Sequence, residues 1–103
     1  MRPTIMDYVE NMLEIIKNDY GVLIGKKSIS ELATFICAYE LGVHDATGVE
    51  CRFNREFQGF VEEKHNLKHT SKHWTEIISE GKGPEEAFDF FFDYWNEFKT
   101  TRA

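Results

Sequence analysis

The chain has 103 residues, 42% of them hydrophobic and 15% aromatic, which suits one domain with one core and excludes intrinsic disorder over most of its length. Twelve Lys and Arg against eighteen Asp and Glu give a formal net charge of −6. Nucleic acid and anionic membrane are repelled by that balance at long range, whereas a basic partner is attracted.

From Thr4 to about Tyr20, the residues Ile5, Val9, Met12, Leu13, Ile16 and Tyr20 recur at helical intervals, with Thr4 and Asp7 as a capping pair and Gly21 as the stop. Val22-Leu23-Ile24 is short, apolar and partly β-branched, which predicts an extended connection or one strand that crosses the core. Ser28 and Glu31 form a capping box ahead of Ile29, Leu32, Ala33, Ile36 and Tyr39, and Gly42 is the expected end of this second helix. His44-Asp45-Ala46-Thr47 reads as a turn or loop between helices. Val49, Phe53, Phe57, Phe60 and Val61 then mark a third helix to about Asn66. Thr70 or Ser71 is the expected cap of a short fourth helix carrying Trp74, Ile77 and Ile78, closed by Gly81. Gly83-Pro84-Glu85-Glu86 is a strong start for a fifth, which runs to about Lys99. The expectation is an all-α domain over residues 1–103, with about five helices and one short extended segment.

The last helix is unusual on both sides. At about 100° per residue, Ala87, Phe88, Phe91, Tyr94, Trp95 and Phe98 crowd one side with Phe90 and Phe92 on its flanks, an apolar arc of roughly 200°. The opposite side carries Glu85, Glu86, Asp89, Asp93 and Glu97. Counted from Thr75 with Glu76 and Glu80, seven acidic residues face the single Lys82. Like charges three and four positions apart repel by a few tenths of a kcal/mol per pair, so the stripe has either an electrostatic function or the role of a plain solvated face.

Other chemistry is weaker. Gly21 to Ser28, GVLIGKKS, has three residues between its glycines where a phosphate-binding loop needs four. His65, His69 and His73 are spaced by four, but Asn66 and the Thr70-Ser71 cap imply a turn that breaks the shared face a metal would need. With His44 isolated, no nucleophile and base can be paired, and no cofactor is expected. Cys37 and Cys51 have no metal spacing and read as reduced structural thiols. MRPTIMDYVEN lacks the apolar region of a signal peptide, and no apolar run approaches the ~20 residues of a membrane span, so a cytoplasmic location is expected.

The segments IGKKSISELATFICAYELG, FQGFVEEKHN, SKHWTEIISEG and EEAFDFFFDYWNEF resemble, in order and spacing, a family of small bacterial immunity proteins associated with contact-dependent inhibition and polymorphic-toxin loci. Asn18-Asp19-Tyr20-Gly21-Val22-Leu23 departs from the family's usual approach to its glycine, and Ala38 stands where a glycine before the tyrosine is common. The resemblance implies a non-enzymatic protein that neutralises a cognate toxin by occluding it, and it supplies no catalytic residue. On this reading Glu76, Glu80, Glu85, Glu86, Asp89, Asp93 and Glu97 dock on a basic toxin. A nuclease suits such a surface, since its substrate cleft is positive and an acidic protein mimics the nucleic acid. Direct nucleic-acid or membrane binding is not expected, and the chain would be a monomer or weak homodimer. The alternatives are a helical regulator or adaptor that self-associates through surplus aromatic surface on the last helix, and a metal-dependent enzyme built on the histidines.

Overall fold

The computed structural model describes residues 5–50, 52–68 and 70–102. Within them the chain is all-α: α1 (Ile5–Asn18), α2 (Tyr20–Leu23), α3 (Ile29–Thr47), α4 (Phe53–Lys64), α5 (Trp74–Ser79) and α6 (Pro84–Arg102). Thr4 and Cys51 lie outside the described residues, as does the side chain of Asp7, so the expected cap of the first helix does too.

Several boundaries move from the sequence expectation, each for a local reason. The segment expected to be extended is instead a helical turn, in which the N–H groups of Ile24 and Gly25 donate to the Tyr20 carbonyl at 2.9 and 3.2 Å. A lone strand would leave its backbone groups without a ladder, whereas the turn satisfies them locally. Leu23 and Ile24 still pack on the core from there. Ser28 caps α3 as expected, accepting the Glu31 N–H at 3.4 Å, but Gly42 does not end it. A mid-helix glycine costs only about 0.5–1 kcal/mol, and the helix continues until Gly48 supplies a left-handed cap at φ 75°. His44 to Thr47 is therefore the last turn of α3 and not a turn or loop between helices.

α4 begins at Phe53 rather than Val49, and Asn66 at φ 56° follows its end. The cap of α5 is His73, not Thr70 or Ser71; its Nδ1 accepts the Thr75 N–H at 3.3 Å. α6 starts at Pro84 as expected and extends past Lys99 to Arg102.

The helices share one hydrophobic core. α6 packs against α3, α4 and α5, and buries Ala87, Phe88, Phe91, Phe92, Tyr94, Trp95 and Phe98. At about 100° per residue these span about 160° of the helix, narrower than the arc expected, because Phe92 joins the core while Phe90 stays 38% exposed. Val9, Leu13 and Ile16 of α1, Ile29, Leu32 and Ile36 of α3, and Trp74, Ile77 and Ile78 of α5 complete the core around a cluster of rings. Phe57 stands at the centre of that cluster, 5.1–5.5 Å from the ring centroids of Phe53, Trp74, Phe91 and Phe98. Among the described residues, no helix is long and apolar enough to cross a membrane.

Candidate partner-binding surface

Because α6 commits one side to the core, its remaining side must face solvent. Glu85, Glu86, Asp89, Asp93 and Glu97 are all exposed there, and so are Glu76 on the short α5 that precedes it and Glu80 just past the end of α5. The stripe is not as bare of cations as its own sequence suggests. Lys27 Nζ, from the segment before α3, lies 2.9 Å from Asp89 Oδ2, and Lys64 Nζ, at the end of α4, lies 2.6 Å from Glu97 Oε2. The hydrogen bonds to these carboxylates hold both lysines above their usual range against the opposing effect of desolvation.

The two pairs divide the surface. At about 100° per residue, Glu86 and Asp93 fall between Asp89 and Glu97 around the helix, so the paired carboxylates flank an unpaired strip. Among the described residues no ion pair engages Glu76, Glu80, Glu85, Glu86 or Asp93. Lys82, the cation nearest in sequence, makes no ion pair with the stripe. Its Nζ donates to the Ile78 carbonyl at 3.1 Å and sits 4.6 Å from the Phe90 ring centroid, so it serves the C-terminal end of α5, where carbonyls lack helical partners. Phe90, one turn after Glu86 and three residues before Asp93, sets a partly exposed ring beside the carboxylates.

Compared with known protein families, curated proteins and solved structures, the chain matches none. What the surface can do follows from its chemistry: unpaired carboxylates on a rigid helix offer acceptors and a negative field without a preformed cavity. That suits a cationic macromolecular surface better than a small substrate.

The histidines have separate employment. His65 Nε2 lies 2.7 Å from Tyr94 Oη with the two rings stacked, while His73 caps α5 and packs on Trp74. His69 lies outside the described residues, and among those described no three metal-ligating side chains converge. Burial lowers the His73 pKa, with Glu76 pulling the other way. It raises that of Tyr94, where Lys64 opposes the shift.

Sequence reasoning missed two things. Lys27 and Lys64 meet their partners only through tertiary packing, so helical periodicity carries no sign of them. The second is a polar seam in which Glu40 on α3 meets Phe53 and Asn54 at the start of α4, and Asn54 meets Trp74 on α5. Its signal was present: Glu40 stands four residues after Ile36, where the apolar face of α3 would continue. Cys37 beside it is an exposed free thiol, at odds with a structural role; its Sγ lies 3.4 Å from Asn54 Nδ2.

Proposed function

We propose that the chain is an immunity protein that binds a basic toxin through the acidic outer face of α6 and the adjoining α5, and neutralises it by occlusion. The observation that carries this reading is the unpaired strip of Glu86 and Asp93 beside exposed Phe90, on the same helix that anchors the core. A surface with charge around one aromatic group is the composition of a protein contact, in which the ring supplies desolvated area and the charges supply steering. The family resemblance of the four sequence segments supports the same reading.

Occlusion needs no chemistry from the inhibitor, only a stable surface held in register. α6 meets that need because its inner face is locked among α3, α4 and α5. A nuclease is the favoured target class, since a cleft shaped for phosphates accepts a row of carboxylates as a substitute. Self-association through surplus aromatic surface on α6 is less favoured: Phe90 is the only ring of that helix left substantially exposed among the described residues. That is little area against the roughly 1,200–2,000 Å² of a stable interface.

The test is to express each reading frame that flanks the gene, alone and together with this chain. One frame is expected to arrest growth when alone, and co-expression is expected to restore growth. Toxicity of a neighbour that the chain leaves undiminished, or the absence of any toxic neighbour, would remove the basis for the proposal.

A further inference from the structure

α4 lacks a cap of its own. Arg52 occupies the N-cap position and its side chain makes no capping bond, so the donors of the first turn need an acceptor from elsewhere. Glu40 of α3 provides it. One carboxylate oxygen accepts the Phe53 N–H at 3.1 Å, and the other accepts Asn54 Nδ2 at 2.5 Å. Asn54 is fixed in turn, because its Oδ1 accepts Trp74 Nε1 at 3.0 Å.

Both partners of Glu40 are neutral, and among the described residues no ion pair reaches it. Burial raises its carboxyl above the ordinary range, outweighing the hydrogen bonds that pull it down. The ionised form is therefore under-compensated. A carboxylate has about four acceptor positions, and the two bonds leave a lone pair on each oxygen.

Those oxygens border a cleft of about 510 Å³ lined by Cys37, Glu40, Leu41, His44, Glu50 and Asn54. The volume lies within the roughly 300–1,000 Å³ of small-molecule sites. Its apolar wall is Leu41, which is 69% exposed. Glu50 already pairs with Arg55 at 3.2 Å, so Glu40 is the carboxylate of the cleft that still lacks a cation.

We propose that this cleft binds an alkylguanidinium group, whose planar fork takes the remaining lone pair on each Glu40 oxygen while its alkyl stem lies on Leu41. A guanidinium fits better than an ammonium because it presents two parallel N–H groups to two oxygens and is less strongly hydrated, so it loses less on entering a half-buried place. A metal ion would need several ligands, and no group of three metal-ligating side chains converges among the described residues. The site is independent of the acidic face of α6. The same chemistry reaches it either as a free small guanidine or as the arginine side chain of a protein.

The experiment is a titration of the ¹⁵N-labelled chain with agmatine, and separately with a blocked Gly-Arg-Gly tripeptide, followed by two-dimensional NMR. Saturable shifts centred on the Phe53 amide and the Asn54 side-chain amide are expected. Glu40→Gln should weaken binding about tenfold or more, and Leu41→Ala, a change at an exposed position, about threefold. Tighter binding of the tripeptide would identify a protein arginine as the source, and tighter binding of agmatine a free guanidine. Absence of saturation, shifts spread evenly over Glu85, Glu86 and Asp93, or unchanged affinity in Glu40→Gln would overturn the proposal. Should Glu40→Gln fail to fold, an unchanged affinity in Leu41→Ala would overturn it instead.

Discussion

Replacing Phe57 by alanine tests the architecture at the point where most of it meets. The side chain is fully buried, and its ring lies 5.1 Å from Phe53, 5.1 Å from Trp74, 5.2 Å from Phe91 and 5.5 Å from Phe98. These separations fall in the range where aromatic pairs attract, each by about 0.5–1.5 kcal/mol beyond burial. The pair terms are not added to the truncation cost, which already contains the lost contacts, but they place Phe57→Ala at the upper end of the usual 3–5 kcal/mol. A domain of this size has about 5–15 kcal/mol in all. Urea unfolding followed by tryptophan fluorescence is the assay. With an m-value of about 1.5–2 kcal/mol/M, the midpoint should fall by about 2–3 M. If the variant is unfolded without urea, Phe57→Leu should still fold at a cost of about 1–2 kcal/mol. A Phe57→Ala midpoint close to that of wild type would refute the placement of α4, α5 and α6 around this ring.

Two glycines of α3 should respond in opposite directions. Gly42→Ala should stabilise by about 0.5–1 kcal/mol, because the helix passes through it and its Cβ would meet nothing within 4 Å; Gly48→Ala, at φ 75°, should destabilise by about 1–2 kcal/mol. Thermal melts of both variants settle whether α3 ends at Thr47 or near Gly42. Gln58→Ala should cost about 1–3 kcal/mol, since Gln58 Oε1 accepts the Trp74 N–H at 2.6 Å and its Nε2 donates to the Lys72 carbonyl at 2.9 Å; hydrogen exchange at Trp74 should quicken with it. His73 makes α5 sensitive to acid. Its folded pKa is lowered, chiefly by burial, so its contribution is present above about pH 6.5 and is lost as pH falls through the folded value, when Nδ1 gains a proton and can no longer accept the Thr75 N–H. His73→Asp should retain a cap without that loss between pH 7.5 and 5.5 in urea midpoints, and an equal loss in both proteins would place the sensitive group elsewhere.

Helix content was legible wherever one local signal agreed with another. Ser28 with Glu31, and Pro84 with Glu85 and Glu86, coincided with apolar spacing, and both helix starts are where those residues put them. Stops were harder, because a glycine is permissive in either role: Gly42 is helical and Gly48 is the cap. Val22 to Ile24 misled because β-branched composition says that a segment is apolar without saying whether its backbone has a strand to pair with. The acidic stripe was visible along α6, but its division by Lys27 and Lys64 was not. Those pairs span 62 and 33 residues of sequence, a separation that no periodicity encodes.

That division sets the design of the decisive test. Reversing Asp89 or Glu97 would place like charges beside Lys27 or Lys64 and disturb contacts between helices, confusing a loss of binding with a loss of packing. Glu86 and Asp93 make no ion pair among the described residues, so reversing them leaves both pairs between helices in place. The most direct measurement is the association rate of the chain with the basic toxin proposed as its partner, for wild type and for the Glu86→Lys, Asp93→Lys double variant, across a salt series. An unaltered helical spectrum is expected for the variant, together with an association rate lower by about tenfold or more near physiological salt, where screening already limits the field to about 8 Å. Wild-type association should slow as salt rises, and the variant should lose that dependence. Equal rates with equal salt dependence would contradict the assignment of the α6 face as the binding surface.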